Sequence, residues 1–234
     1  MRLNIKFHSK MPSARPLLVD ASLRLQVGYP GEQEPEASDE LPDGLDQCDP
    51  EALAEFVATQ VTQRAPDCET VFVCVVPGAF TRRTCDDLCT RLFELLPSLE
   101  HVFVQPRSAL AFVGLGLRGG AYVGADKEGC RGCALVANGL QFSWAPDTEV
   151  AQLPSIEVQA LGLQLIAVEC EEQKKSDKPA VSGARWARQQ VWVGDAEVWT
   201  GMAAASALAG FRNACLDRGF LGPGKEEQLA RLGL

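Results

Sequence analysis

The stretch ETVFVCVVP (69–77) sets the tightest limit on the fold. A near-continuous apolar run rich in β-branched residues suits a strand covered on both faces, and such strands lie in sheets carrying helices. Both flanks meet that requirement. DPEALAEFVATQVTQRA (49–65) has Asp49 as a cap, Pro50 in the first turn and an apolar stripe of Leu53, Phe56, Val57 and Val61. TRRTCDDLCTRLFELL (81–96) turns Leu88, Leu92, Phe93 and Leu96 to one side. Strands alternating with helices imply an α/β chain with a mixed sheet flanked by helices.

The remaining elements fit that alternation. PLLVDASLRLQVGYP (16–30) predicts two short strands, HVFVQP (101–106) another, and SALAFVGLG (108–116) a short helix. GAYVGAD and CALVANGL predict a hairpin. GEQEPEASDELPDGLDQCD (31–49) holds eight acids and no base and reads as a solvated loop. From 141 to 190 the pattern loosens into an irregular linker or insertion with one strand, ALGLQLIAVE (160–169). VWVGDAEVWTG reads as a strand or turn, MAAASALAGFRNACLDRGFL (202–221) as a helix, and the tail as one more short helix.

The net charge of −9 argues against non-specific nucleic-acid binding, which needs clustered Lys and Arg. No run approaches the roughly 18 apolar residues of a membrane span. The N-terminus is basic and acid-free up to Asp20, as in an organelle transit peptide, although it is expected to be retained. Nine cysteines, an odd number without a secretory signal, suit a reducing intracellular compartment.

YVGADKEGCRGC (122–133) is the one stretch with the frame of a phosphate loop, a strand entering a turn with Gly124, Asp126 and Gly129. Successive backbone N–H groups grip phosphate only where side chains leave them bare. Lys127 and Glu128 stand in that place, and the Glu128 carboxylate would repel a triphosphate. Asp126 has two readings, an organiser of a metal-bound phosphate or an aspartate bonding its own turn. Cys130 and Cys133 read as half a zinc site, a redox pair or ordinary packing; no second pair is close, and CALVANG has a strand pattern. Trp186, Trp192 and Trp199 suit packing or partner contact, and RWARQQ an acidic neighbour.

Four stretches, in order, resemble the actin and actin-related protein family: SLRLQVGYP with the acidic loop and DPEALAEFV; VFVCVVPGAFTRRTCDDLCTRLFELL; VFVQPRSALAFVGLGLRGGAYVGADKEGCRGCALVANG; and LQLIAVE followed by EVWTGMAAASALAGF. The resemblance implies an RNase H-like first lobe with the second lobe largely missing, since only about 20 residues separate Gly139 from Ala160. It implies residues 1–140 as the N-terminal part of that lobe, 141–190 as the insertion, and 191–234 as the turn and helix closing it.

The family's first phosphate loop has no glycine-rich counterpart before residue 30. Its water-orienting glutamine falls on Pro106, with Gln105 one residue early and therefore on the other strand face. The resemblance thus implies a chain that is not an enzyme, has a vestigial phosphate loop and uses no cofactor or metal. The expected role is a structural subunit of a cytoplasmic, cytoskeletal, ciliary or dynactin-like assembly, with other protein subunits as partners and neither nucleic acid nor membrane. The family's partner groove maps onto Trp199, Gly201, Ala204, Ala205, Leu208 and Phe211. The alternatives are a small nucleotide- or metal-binding enzyme on the same fold, and a free adaptor binding a partner helix in that groove.

Overall fold

In the computed structural model the apolar run at 70–75 forms a central strand, and the architecture is best followed outward from it. Residues 15–32, 35, 37–43, 45–125, 131–146, 166–170 and 189–231 are described. β1 (Leu17–Asp20), β2 (Leu25–Gly28) and β3 (Ala37–Asp39) form an antiparallel meander. Helix α1 (Pro50–Arg64) crosses over to β4 (Thr70–Val75), which runs parallel to β1. Asp49 caps α1 as expected, its Oδ1 accepting from the Glu51 N–H at 3.0 Å. Helix α2 (Arg82–Leu95) then leads to β5 (His101–Pro106), parallel to β4, and α3 (Arg107–Gly114) follows without a break.

The chain repeats this sequence of events. β6 (Gly119–Ala125), β7 (Arg131–Ala137) and β8 (Leu140–Pro146) form a second antiparallel meander. β9 (Ile166–Cys170) runs parallel to β6 and β10 (Gln189–Val193) parallel to β9. Helix α4 (Asp195–Ser206) leaves β10 as α3 leaves β5. Strand orders β3-β2-β1-β4-β5 and β8-β7-β6-β9-β10 are the same. The first sheet gains one extra strand, β11 (Leu216–Asp217), antiparallel to β5. The chain ends in α5 (Phe211–Ala214), a 3₁₀ turn (Arg218–Leu221) and α6 (Lys225–Arg231).

Four expectations are corrected here. One lobe with a mixed sheet was expected, its partner lobe largely missing, but β6 to β10 build a second sheet. Gly119 and Gly120, at φ of 151° and 158°, redirect the chain so that β6 lies against α3 and pairs with β7 and β9, not β5. The span 141–190 accordingly supplies parts of three strands instead of one, the rest of it lying outside the described residues. The acidic stretch 31–49 is not simply a solvated loop. β3 pairs with β2, Leu41 is buried, and the buried Gln47 donates to Ala21 O at 2.9 Å and to Ser22 O. The last helix begins at Asp195, not 202, and stops at Ser206; Glu197 Oε2 accepts from the Gly194 N–H at 2.8 Å and starts it.

The two helices that end the repeats cross in contact. A Cβ on Gly114 would lie 1.8 Å from the Glu197 carbonyl oxygen, and one on Gly201 would lie 2.1 Å from that of Leu110. Each glycine stands eight residues beyond the end of its strand, from Pro106 to Gly114 and from Val193 to Gly201. Beyond this crossing, α3 packs on β6, β7 and β8, while α4 packs on β1 and β4. Each helix thus covers the sheet of the other repeat.

Candidate functional site: the polar row between the two sheets

Strand register puts four polar side chains in one row across the first sheet. Gln26 pairs with Asp20, Asp20 with Cys74, and Cys74 with Gln105. Residues directly opposite in neighbouring strands share a face, so the row crosses β2, β1, β4 and β5 on a single side. One step toward the amino ends of the parallel strands the same face is apolar, with Leu18, Phe72 and Phe103 side by side. Phe211 completes that floor, its ring centroid 5.7 Å from Phe72 and 5.2 Å from Phe103. The polarity therefore changes at the carboxyl ends of three parallel strands, where open α/β sheets characteristically place ligands.

Asp20 is the buried centre of the row. Its Oδ1 accepts from the Ser22 N–H at 2.9 Å and the Ser22 hydroxyl at 2.5 Å. Arg107, the first residue of α3, is 1% exposed and aims its guanidinium at the same carboxylate. Nη1 lies 3.4 Å from Asp20 Oδ2 and donates to Ser22 Oγ at 3.1 Å. Nη2 donates to Asp195 Oδ1 at 2.6 Å, across to the first turn of α4. One cation thus holds a carboxylate from each repeat. Burial pushes the Asp20 carboxyl up from its ordinary range, with the Arg107 charge and the Ser22 hydrogen bonds opposing. Burial likewise drives the Cys74 thiol well up, and the Asp20 charge adds to it.

Gln105 faces this row, 6% exposed, and its Oε1 is buried without a hydrogen-bond partner, as is that of Gln26. A second bridge between the repeats comes from β8. Gln141 Oε1 accepts from the Ser108 hydroxyl at 2.5 Å, and its Nε2 donates to Pro77 O at 3.0 Å in the 3₁₀ turn Pro77–Ala79.

The residues expected to form sites separate in the structure. Gly124 lies inside β6 opposite Gly132, not in a turn; a Cβ there would meet the Tyr122 ring at 2.5 Å. Asp126 and Gly129 lie outside the described residues, as do Lys127, Glu128 and Cys130. Cys133 is buried in β7, its thiol pushed up to about 12 by burial, as are those of Cys85 and Cys215. Among the described residues no group of three or more His, Cys, Asp and Glu could hold a metal ion. No helix among them is long and apolar enough to cross a membrane.

The expected groove does not form as one surface. Trp199, Gly201 and Phe211 are buried in the interior, whereas Ala204 is exposed, Ala205 half-buried and Leu208 67% exposed. Trp199 faces inward because α4 starts seven residues earlier than expected, which places Trp199 and Gly201 in its packed first half. Arg107, Asp20 and Asp195 escaped sequence reasoning, because Arg107 lies 87 and 88 residues from its two carboxylates. The available signal was an arginine directly after a strand, at a helix start that disfavours positive charge.

No protein-family model matches this sequence, and no curated protein is similar to it.

Proposed function

We propose that this chain is a non-catalytic, actin-like structural subunit of a larger protein assembly. The observation that carries the reading is the doubled strand order, each copy an antiparallel meander followed by two parallel strands, with helices exchanged across the middle. That arrangement suits an RNase H-like unit used twice, and it supports a compact form of the actin-like fold in which short insertions replace large ones. The ordered resemblance of four sequence stretches points the same way.

The ion pairs of Arg107 at the strand ends support a role without catalysis. The carboxyl ends of β1, β4 and β5 meet a guanidinium already paired with two carboxylates, so an entering phosphate would have to displace Asp20 and Asp195 from it. The role as a subunit draws on the exposed end of α4, where residues 203–210 carry no charge and Leu208 stands out from the surface. A cytoplasmic or cytoskeletal assembly is the setting that fits such a chain, with protein partners and neither cofactor nor nucleic acid.

A second reading, a small nucleotide- or metal-binding enzyme, is favoured by the unpartnered Gln26 and Gln105 oxygens on the row. Melting curves of the purified chain with and without ATP and Mg²⁺ separate the two. The subunit reading predicts no shift in Tm. A ligand-dependent rise of several degrees, growing with concentration, would establish the second reading instead.

A further inference from the structure

Arg107 does something that neither the fold nor the subunit reading requires. The two repeats meet at the α3–α4 crossing, where Gly114 and Gly201 bring the helix backbones together and Leu110, Val198 and Met202 are buried in the shared core. A polar group that sits off the crossing and grips both sides adds a directional hold on that packing, and the Arg107 guanidinium is so placed. It is rooted at the start of α3, 1% exposed, with Nη1 toward Asp20 at the end of β1 and Nη2 on Asp195 in the first turn of α4.

The partners are graded in a telling way. Asp20 is 1% exposed and fixed by its own Ser22 hydrogen bonds, so it anchors the guanidinium within the first repeat. Asp195 is 23% exposed and sits one residue inside α4, so it is the side that can let go. The planar fork suits the task because two nitrogens serve two carboxylates in fixed directions. A lysine ammonium, a point charge on a flexible stem, would neutralise Asp20 without setting the direction toward Asp195.

We infer that Arg107 is a built-in cationic clamp that sets the relative angle of the two repeats through Asp20 and Asp195. Gln141, bonded to both Ser108 and Pro77, acts as a second tie on the β8 side. The clamp stands apart from the subunit reading: an assembly could need a clamped chain or tolerate an unclamped one.

Hydrogen exchange followed by mass spectrometry on the full-length chain tests the clamp, comparing wild type with Asp195→Asn and Arg107→Lys. Both variants leave Asp20 beside a positive charge, so both are expected to fold. The clamp predicts that amides of α3 and α4 exchange about tenfold faster or more in each variant while β4 amides keep their wild-type rate. Unchanged α3 and α4 rates would overturn it. An equal rise throughout β4, α3 and α4 would also overturn it, since Arg107 would then support stability at large. Partner binding, measured separately on the same variants, reports on the subunit reading whichever way the exchange result falls.

Discussion

α3 and α4 occupy equivalent places in the two repeats, yet their environments differ. From Arg107 to Phe112 every residue of α3 is buried, because the helix lies between its own sheet and the one it crosses to. α4 is buried only where it meets α3 and the first sheet, through Val198, Trp199, Gly201 and Met202; Ala204 is exposed, and beyond the helix so is Leu208. The same topological position therefore supports two uses. α3 is an internal connector, and its one charge is tied on two sides. α4 is a connector for its first two turns and a surface for its last, and the surface half can serve a partner without weakening the join.

That contrast is easiest to break at Arg107. Arg107→Met removes the charge and leaves the buried Asp20 carboxylate uncompensated, a change that costs about 3–5 kcal/mol in urea unfolding at neutral pH. The loss is pH-dependent with a definite sign. Burial already raises Asp20 above the ordinary carboxyl range, and losing Arg107 raises it further. A raised carboxyl favours the folded state while protonated, and that advantage is lost as pH rises through its folded value. The groups facing Asp20 are Arg107, Ser22, Cys74 and, beyond Arg107, Asp195; the variant's deficit is thus expected to shrink toward acidic pH. A deficit that stays constant would mean Asp20 is not the charge left exposed.

The crossing comes next. Gly201→Ala drives a methyl toward the Leu110 carbonyl, where 2.1 Å leaves no room. It should lower stability by about 1–3 kcal/mol or more, read from the urea midpoint. Gly114→Ala should cost a similar amount because the two positions are equivalent, and a neutral result at one alone would break the equivalence of the repeats.

Asp49→Ala is a smaller effect, about 1 kcal/mol, from loss of the α1 cap. Smallest in stability is Leu208→Asp, just beyond the end of α4, within about 0.5 kcal/mol of wild type. It sharpens the comparison most in function: the subunit reading predicts that co-purification with other proteins falls while the melting curve stays put. A similarly exposed charge reversal on α1, such as Glu55→Lys, should leave the assembly intact.

The first repeat was legible in the sequence; in the second the β6–β7 hairpin and the strands at β9 and β10 were legible, but β8 and the separate sheet that these strands form were not, for a physical reason. Strands such as Thr70–Val75 are covered on both faces, so burial demands an unbroken apolar run that stands out from its surroundings. The second sheet is built from small residues, with Gly119, Gly120, Ala121, Gly124, Ala134 and Ala137 along β6 and β7, which carry little hydrophobic periodicity. The start of α4 was hidden because Trp199-Thr200-Gly201 reads as a turn by local preference; packing of Gly201 on α3 overrides that preference. β3 was concealed by its three residues and acidic neighbours. Arg107 drew no attention because its partners are distant in the chain, and a site made by register cannot be read from spacing.

The account stands or falls on what the native chain is bound to. Purification of the endogenous protein under gentle conditions, with partners weighed by native mass spectrometry and nucleotide assayed after denaturation, asks this directly. The account predicts a stoichiometric complex with other protein subunits and no released nucleotide. A free monomer that yields one equivalent of bound nucleotide would contradict it.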